Sequence, residues 1–208
     1  MRPTTIVRRG YDALALKYHA QRRLAVHRRE LEGLLRRLPA RARVLDAGCG
    51  SGKVASLLGR RGTAVTGIDI SARMLSLAAT VAPGARLLRM DMRRLRLPPS
   101  SFDGVVALYS LIHVPRRDHL AVLRGFRRVL RPRGLLLIVM GRDDLPRDLD
   151  DFLGTPMYWS HYGAERNLAL LAGAGFSVIW SRIVGPRRDR HLWALARPTR
   201  SSRAPRRR

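Results

Sequence analysis

Three glycines at alternate positions, Gly48, Gly50 and Gly52, follow the acid Asp46. They stand between a short apolar run, Val44-Leu45, and a helical pattern that opens at Val54-Ala55-Ser56-Leu57-Leu58. Strand, glycine-rich turn and helix together bring bare backbone against a nucleotide. Glycine accepts positive φ and has no Cβ, and the helix N-terminus offers unpaired N–H groups. Two more acids, Asp69 and Asp91, close apolar runs further on. Each has two acceptor oxygens, enough for ribose hydroxyls or an amino group. A phosphate-gripping loop of the Walker type is excluded, because Ala47 stands at its first glycine and Val54 at its hydroxyl. A dinucleotide fingerprint needs G-x-G-x-x-G, and the spacing here is G-x-G-x-G.

The elements that must hold these residues follow from periodicity. Residues 43–46, 64–69, 85–90, 102–108 and 135–140 read as strands, and helical stripes fall between them. One stripe is Met74, Leu77, Ala78 and Val81 behind the N-cap Ser71; another is Val122, Leu123, Phe126, Val129 and Leu130. The alternation predicts a Rossmann-like, doubly wound, mostly parallel α/β sheet with ligands at the carboxyl ends of its strands. Two last strands, 176–184 and 191–196, are joined tightly enough to pair antiparallel. An acidic loop from Asp143 to Asp151 and an aromatic segment from Gly154 to Gly163 lie before them. The expected division is a helical extension over 1–40, an α/β domain over 41–197 and a basic, disordered tail over 198–208.

The 208 residues suit one such domain. The longest apolar run, Leu135 to Met140, is too short to span a bilayer, and the N-terminus has no apolar signal region. The single cysteine, Cys49, excludes an internal disulfide and a cysteine metal cluster, and no metal-ligand spacing is present. A cytoplasmic protein is expected. The net charge of +26 comes almost wholly from arginine. It reads either as attraction to a polyanion or as a compositional bias on solvated faces. The arginines are scattered and aromatics make up 6%, which favours the second reading. Any nucleic-acid binding is expected to be weak, non-specific and salt-sensitive.

The stretch Asp46-Ala47-Gly48-Cys49-Gly50-Ser51-Gly52 resembles motif I of the class I S-adenosylmethionine-dependent methyltransferases, (D/E)-x-G-x-G-x-G. Asp69, Asp91, Phe102-Asp103 and Leu130-Arg131-Pro132-Arg133-Gly134 extend the likeness over about Val44 to Arg197, with Arg133 standing where the family usually has glycine. The chain is most similar to the small-molecule enzymes of the ubiquinone/menaquinone-biosynthesis group. The resemblance implies a seven-stranded sheet with an antiparallel last strand and helices ahead of the first strand that lie over the cofactor.

It also implies S-adenosylmethionine as cofactor, bound by Asp46, Gly48, Cys49, Gly50, Gly52, Asp69, Ile70, Asp91, Met92, Ala107, Leu108 and Tyr18. Asp69 would take the ribose hydroxyls, Ile70 the adenine face, and Asp91 with the Met92 N–H the adenine edge. His113 is the candidate base, joined on the acceptor side by Tyr158 and His161; Tyr11 and Tyr18 are candidates for covering the cofactor. Packing is an equal reading of His113, Tyr11 and Tyr18, and the slightly favoured one for Tyr158 and His161. The function implied is methyl transfer to a small-molecule acceptor, which the sequence does not name, nor does it give an oligomeric state. The alternatives are an RNA or other nucleic-acid methyltransferase and a non-catalytic S-adenosylmethionine-binding protein. The (D/N)-P-P-(Y/F) signature of amino-group DNA methylation is replaced by Ala107-Leu108-Tyr109-Ser110.

Overall fold

A computed structural model describes residues 1–21, 28–185 and 190–199. The tail assigned to 198–208 lies outside them from residue 200 onward. Two helices, α1 (Pro3–Gln21) and α2 (Arg28–Leu35), precede β1 (Arg43–Ala47), α3 (Lys53–Arg60), β2 (Ala64–Asp69), α4 (Ala72–Val81) and β3 (Arg86–Arg89). Then come β4 (Phe102–Ala107), α5 (His119–Val129) and β5 (Leu130–Gly141). The chain continues through β6 (Leu145–Asp151), β7 (Pro156–His161), α6 (Ala164–Gly173), β8 (Phe176–Val184) and β9 (His191–Pro198). Seven strands form one sheet in the order β3-β2-β1-β4-β5-β9-β8. The first five strands in that order are parallel, and β9 runs antiparallel to both β5 and β8. This is the Rossmann-like arrangement expected.

The strands are apolar on both faces because helices cover both. Leu45, Ala47, Val105, Ala107, Leu136 and Ile138 pack with Val122, Leu123 and Phe126 of α5 and Leu171 of α6. Their neighbours Val44, Val106, Leu137 and Val139 point the other way, onto Leu31 and Leu34 of α2 and Ala55 and Leu58 of α3. Period-two alternation therefore separates two cores rather than core from solvent.

Two segments depart from the sequence reading. The stretch Leu130-Arg131-Pro132-Arg133-Gly134, ahead of the strand expected over 135–140, is a bulge inside β5: Leu130 pairs with Phe102, and the next pair is Leu135 with Gly104. A Cβ on Gly134 would lie 3.1 Å from the carbonyl oxygens of Arg131 and Asp103, a tight backbone approach that favours glycine there. The acidic loop is strand β6, paired antiparallel with β7 in a separate two-stranded sheet. Its aspartates face solvent, and β7 supplies the buried Met157 and Tyr158 that pack under Val7 and Leu14 of α1. This contact seats α1 over the carboxyl ends of the central strands.

The other end of the seating is Ser71. Its hydroxyl donates to Asp12 Oδ1 on α1 at 2.7 Å and accepts from the Met74 N–H at 3.0 Å, capping α4 as expected. Ser71→Ala removes both bonds, and we expect it to cost about 1–2 kcal/mol. Thermal unfolding reads this directly; an unchanged midpoint would show that neither bond stabilises the fold.

Candidate active site

The glycine turn is shaped from three sides. The Gly48 and Cys49 N–H groups both donate to the Ile68 carbonyl, at 2.8 and 3.0 Å, tying the turn to the end of β2. Gly48 has φ 80°, and a Cβ there would lie 2.3 Å from Ser110 Cβ. Ser110 in turn donates to the Ala47 carbonyl at 2.7 Å. Gly52, also at φ 80°, abuts the α4 backbone at Ala78. Gly50 differs: its φ is 51°, and a Cβ there would meet nothing within 4 Å. Two of the glycines serve packing and one faces open space, where a ligand can approach backbone.

That space is part of a cavity at the carboxyl ends of β1, β2 and β4, roofed by Thr4, Val7, Tyr11 and Tyr18 of α1. Of the residues singled out from sequence, Gly48, Gly50, Asp69, Ile70, Asp91, Met92, Leu108, His113, Tyr11 and Tyr18 line it. Asp46, Cys49, Gly52 and Ala107 lie behind the wall, buried or packed in the turn.

Asp69 stands on the wall with both oxygens engaged. Oδ2 accepts from the Gly50 N–H at 2.9 Å and Oδ1 from the Ser71 N–H at 2.8 Å. Burial raises its pKa, against the pull of those N–H donors. The carboxylate therefore organises the glycine turn as well as facing the cavity. Its remaining lone pairs can still accept hydroxyls, since an ionised carboxyl offers about four acceptor sites.

Asp46 is 2% exposed, and its Oδ2 has no hydrogen-bond partner. Burial, then the charge of Asp69, pushes its pKa up to about 7. A buried carboxylate oxygen left without a partner behind the glycine turn is one that a donor or cationic group brought near it would relieve. The residues present thus fit S-adenosylmethionine, with an acid on the cavity wall at the end of β2 and a second acid behind the turn. Burial, with Asp46 and Asp69 nearby, raises the Cys49 thiol far above its usual range, so it is no nucleophile.

Asp91 is less available than its sequence position suggested. Arg93 donates to it through Nε at 3.0 Å and Nη2 at 2.6 Å, and the Arg93 N–H adds a bond at 2.9 Å. Burial acts to raise the Asp91 pKa, but these bonds and the Arg93 charge outweigh it and hold the carboxyl below its ordinary value. The same guanidinium also reaches Thr4 on α1 and Asp118 ahead of α5. Sequence reasoning missed Arg93. Its one local signal is its place two residues after a strand-end acid.

The three proposed catalytic side chains are not gathered in one place. His113 is buried against the cavity, with Nδ1 2.9 Å from the Tyr158 carbonyl and Nε2 2.8 Å from the Tyr11 hydroxyl. Tyr158 meets His113 by backbone, while its ring packs with Val7 and Leu14 under α1 and does not line the cavity. His161 lies further off, its ring against Gly141 and its Nδ1 2.8 Å from the Asp143 carbonyl. Tyr158 and His161 stand three residues apart on β7 and so point to opposite faces of the β6–β7 hairpin, the first under α1 and the second against Gly141. Tyr109, also missed, lines the cavity at φ 56°, a conformation uncommon for a bulky residue and most often kept where a site requires it. Among the described residues there is no group of three or more acidic, histidine or cysteine side chains able to hold a metal. No helix among them is long and apolar enough to cross a membrane.

Residues 44–134 match the family described as "Methyltransferase domain". Over 132 residues the chain is 36% identical to a malonyl-[acyl-carrier protein] O-methyltransferase of Enterobacter lignolyticus, covering 62% of this chain and 51% of that protein. Over 110 residues it is 39% identical to the S-adenosyl-L-methionine-dependent Diels-Alderase iccD of Talaromyces variabilis, covering 49% of this chain and 37% of that protein. The chain thus spans about half the length, or less, of these two relatives. Its fold is that of the 1,6-didemethyltoxoflavin-N1-methyltransferase of Burkholderia thailandensis, with a TM-score of 0.75 and 23% identity over 96% of this chain and 92% of that one. Glycine turn, strand-end acids, strand order and these likenesses agree: residues 44–134 are a methyltransferase domain, and the chain is similar to S-adenosylmethionine-dependent methyltransferases.

Proposed function

We propose that the protein transfers the methyl group of S-adenosylmethionine to a small-molecule acceptor. The observation that carries this reading is the open space above Gly50, whose N–H is held by the Asp69 carboxylate on the cavity wall. Asp69 takes the ribose hydroxyls on its remaining lone pairs, and Ile70 and Met92 flank the adenine. Arg93 already holds both Asp91 oxygens, so the adenine edge is left to the Met92 backbone and to whatever Asp91 can still accept. Leu108 and Tyr18 border the methionine end. When bound, the cofactor supplies its own leaving group, a sulfonium, so the chain's residues have to align donor and acceptor and exclude water. A roof made by one helix along its length makes a pocket rather than an open groove, which favours a small acceptor over a nucleic-acid chain.

Titration calorimetry should show micromolar-range binding of S-adenosylmethionine and little binding of NAD; preferential NAD binding would sink the reading. A screen with methyl-labelled cofactor against small molecules and RNA then identifies the acceptor. The Diels-Alderase among the relatives gives a second reading, in which the cofactor is bound but keeps its methyl group. Cofactor binding with no label released to any acceptor would favour it.

A further inference from the structure

We infer that Tyr11, held by His113, receives the proton of the methyl acceptor, and that the acceptor is therefore a hydroxyl or amine presented with its proton in place. The inference rests on the methyl-transfer reading above.

It starts from what each atom can do. A carbonyl only accepts, so the Nδ1 of His113, 2.9 Å from the Tyr158 carbonyl, carries the ring proton. In the neutral ring Nε2 is then the lone pair, and the Tyr11 hydroxyl 2.8 Å away donates to it. The lone pair of His113 is thereby committed to Tyr11 and not to the cavity. An oxygen that donates its own proton meets other groups as an acceptor. Tyr11 lines the cavity, so it offers a basic oxygen to an acceptor's O–H or N–H.

The pair is rigidly placed. Tyr11, Tyr18, Phe152, Trp159 and His113 form a closed circuit of ring contacts, with centroids 5.4, 6.2, 5.3, 4.4 and 5.3 Å apart in turn. The circuit joins α1, the β6–β7 hairpin and the segment after β4. Burial lowers the His113 pKa to about 4, so its lone pair is present throughout neutral pH. The titratable groups facing the ring are Tyr11 from α1 and His161 from β7, whose charge would oppose protonation.

The step balances. The acceptor's oxygen or nitrogen bonds to the methyl carbon while the sulfur–methyl bond breaks and its electron pair stays on sulfur. The acceptor's proton passes to the Tyr11 oxygen as the Tyr11 proton passes to His113 Nε2. Positive charge leaves the sulfonium and appears on the imidazole, so the pocket's net charge is unchanged, and the proton returns to water once the product leaves.

The test compares the wild-type chain with Tyr11→Phe and His113→Gln. Calorimetry with S-adenosylhomocysteine should place both variants within about twofold of wild type, because neither hydroxyl nor imidazole holds the nucleoside. Two-bond ¹H–¹⁵N spectra should show His113 as the Nδ1–H tautomer, with an Nε2 signal that moves on Tyr11→Phe; an Nε2–H tautomer overturns the proposal. Methyl transfer is then read with phenols, catechols, carboxylic acids and primary amines. With a phenol, Tyr11→Phe should lower kcat roughly 100-fold below the phenol's own pKa, with the loss shrinking as the phenol ionises unaided. A loss equal at every pH is the signature of a structural role and overturns the relay, as does undiminished transfer in Tyr11→Phe. Turnover restricted to carboxylic acids, which carry no proton at neutral pH, overturns it too. A wild type that binds cofactor but methylates nothing refutes the transfer reading itself.

Discussion

Asp69→Ala is expected to weaken S-adenosylmethionine binding by about 2–4 kcal/mol, through loss of the ribose acceptor and of charge-assisted bonds that order the turn. The carboxylate accepts from the Gly50 and Ser71 N–H groups, so its removal leaves both donors unpaired and loosens the one glycine that faces the cavity. Stability should change less than affinity. Burial raises the pKa of Asp69, so truncation also removes an unfavourable buried charge. Asp69→Asn should recover little, because an amide puts a donor where one of the two N–H groups needs an acceptor. Calorimetry alongside thermal unfolding separates the two quantities. A dissociation constant within twofold of wild type, in a folded Asp69→Ala protein, would remove Asp69 from the cofactor site.

The second large effect belongs to Asp46. Its pKa is raised by burial and by Asp69 to about 7, from an ordinary 3.8. A folded-state pKa above the unfolded one means that the folded protein holds the proton more tightly. Stability therefore falls as pH rises from about 4 to about 7, by roughly 4 kcal/mol across the window, and stays lower above it. Asp46→Asn lacks this dependence and should be the more stable protein above neutral pH. His113 and His119 run the other way. Burial lowers both to about 4 from 6.5, so their contribution is present above the unfolded value and is lost as pH falls toward 4. Both histidines are present in each protein, so the difference between wild type and Asp46→Asn isolates the carboxyl. Denaturant unfolding at pH values below and above the window measures it. An identical difference on both sides would show that Asp46 ionises as freely folded as unfolded. If the orphaned Oδ2 faces a cofactor cation, wild-type affinity should also tighten as pH rises through about 7, and Asp46→Asn should bind weakly at every pH.

The sequence by itself determined the βα alternation, the sheet class, the glycine turn, and the acids at the ends of β2 and β3. Each rests on a short-range signal. Strands buried on both faces read as continuous apolar runs, glycines at every second position need backbone freedom, and Ser71 caps the next turn of its own chain. The β6–β7 hairpin was not legible, because β6 has aspartates where an alternating strand would have apolar residues and is held by pairing to β7 alone. Nor did sequence show that Arg93 takes both oxygens of Asp91, since an acid at a strand end looks the same whether or not a cation grips it.

Only the tertiary structure decided which aromatics belong to the site. Tyr11 and His113 are 102 residues apart and meet at hydrogen-bond distance, while Tyr158 and His161, nearer to His113 in the chain, turn their side chains elsewhere. Periodicity says which face of an element is apolar. It does not say where that element docks, and the docking of α1, through Val7 and Leu14 on β7 and Asp12 on Ser71, aims the Tyr11 hydroxyl at His113.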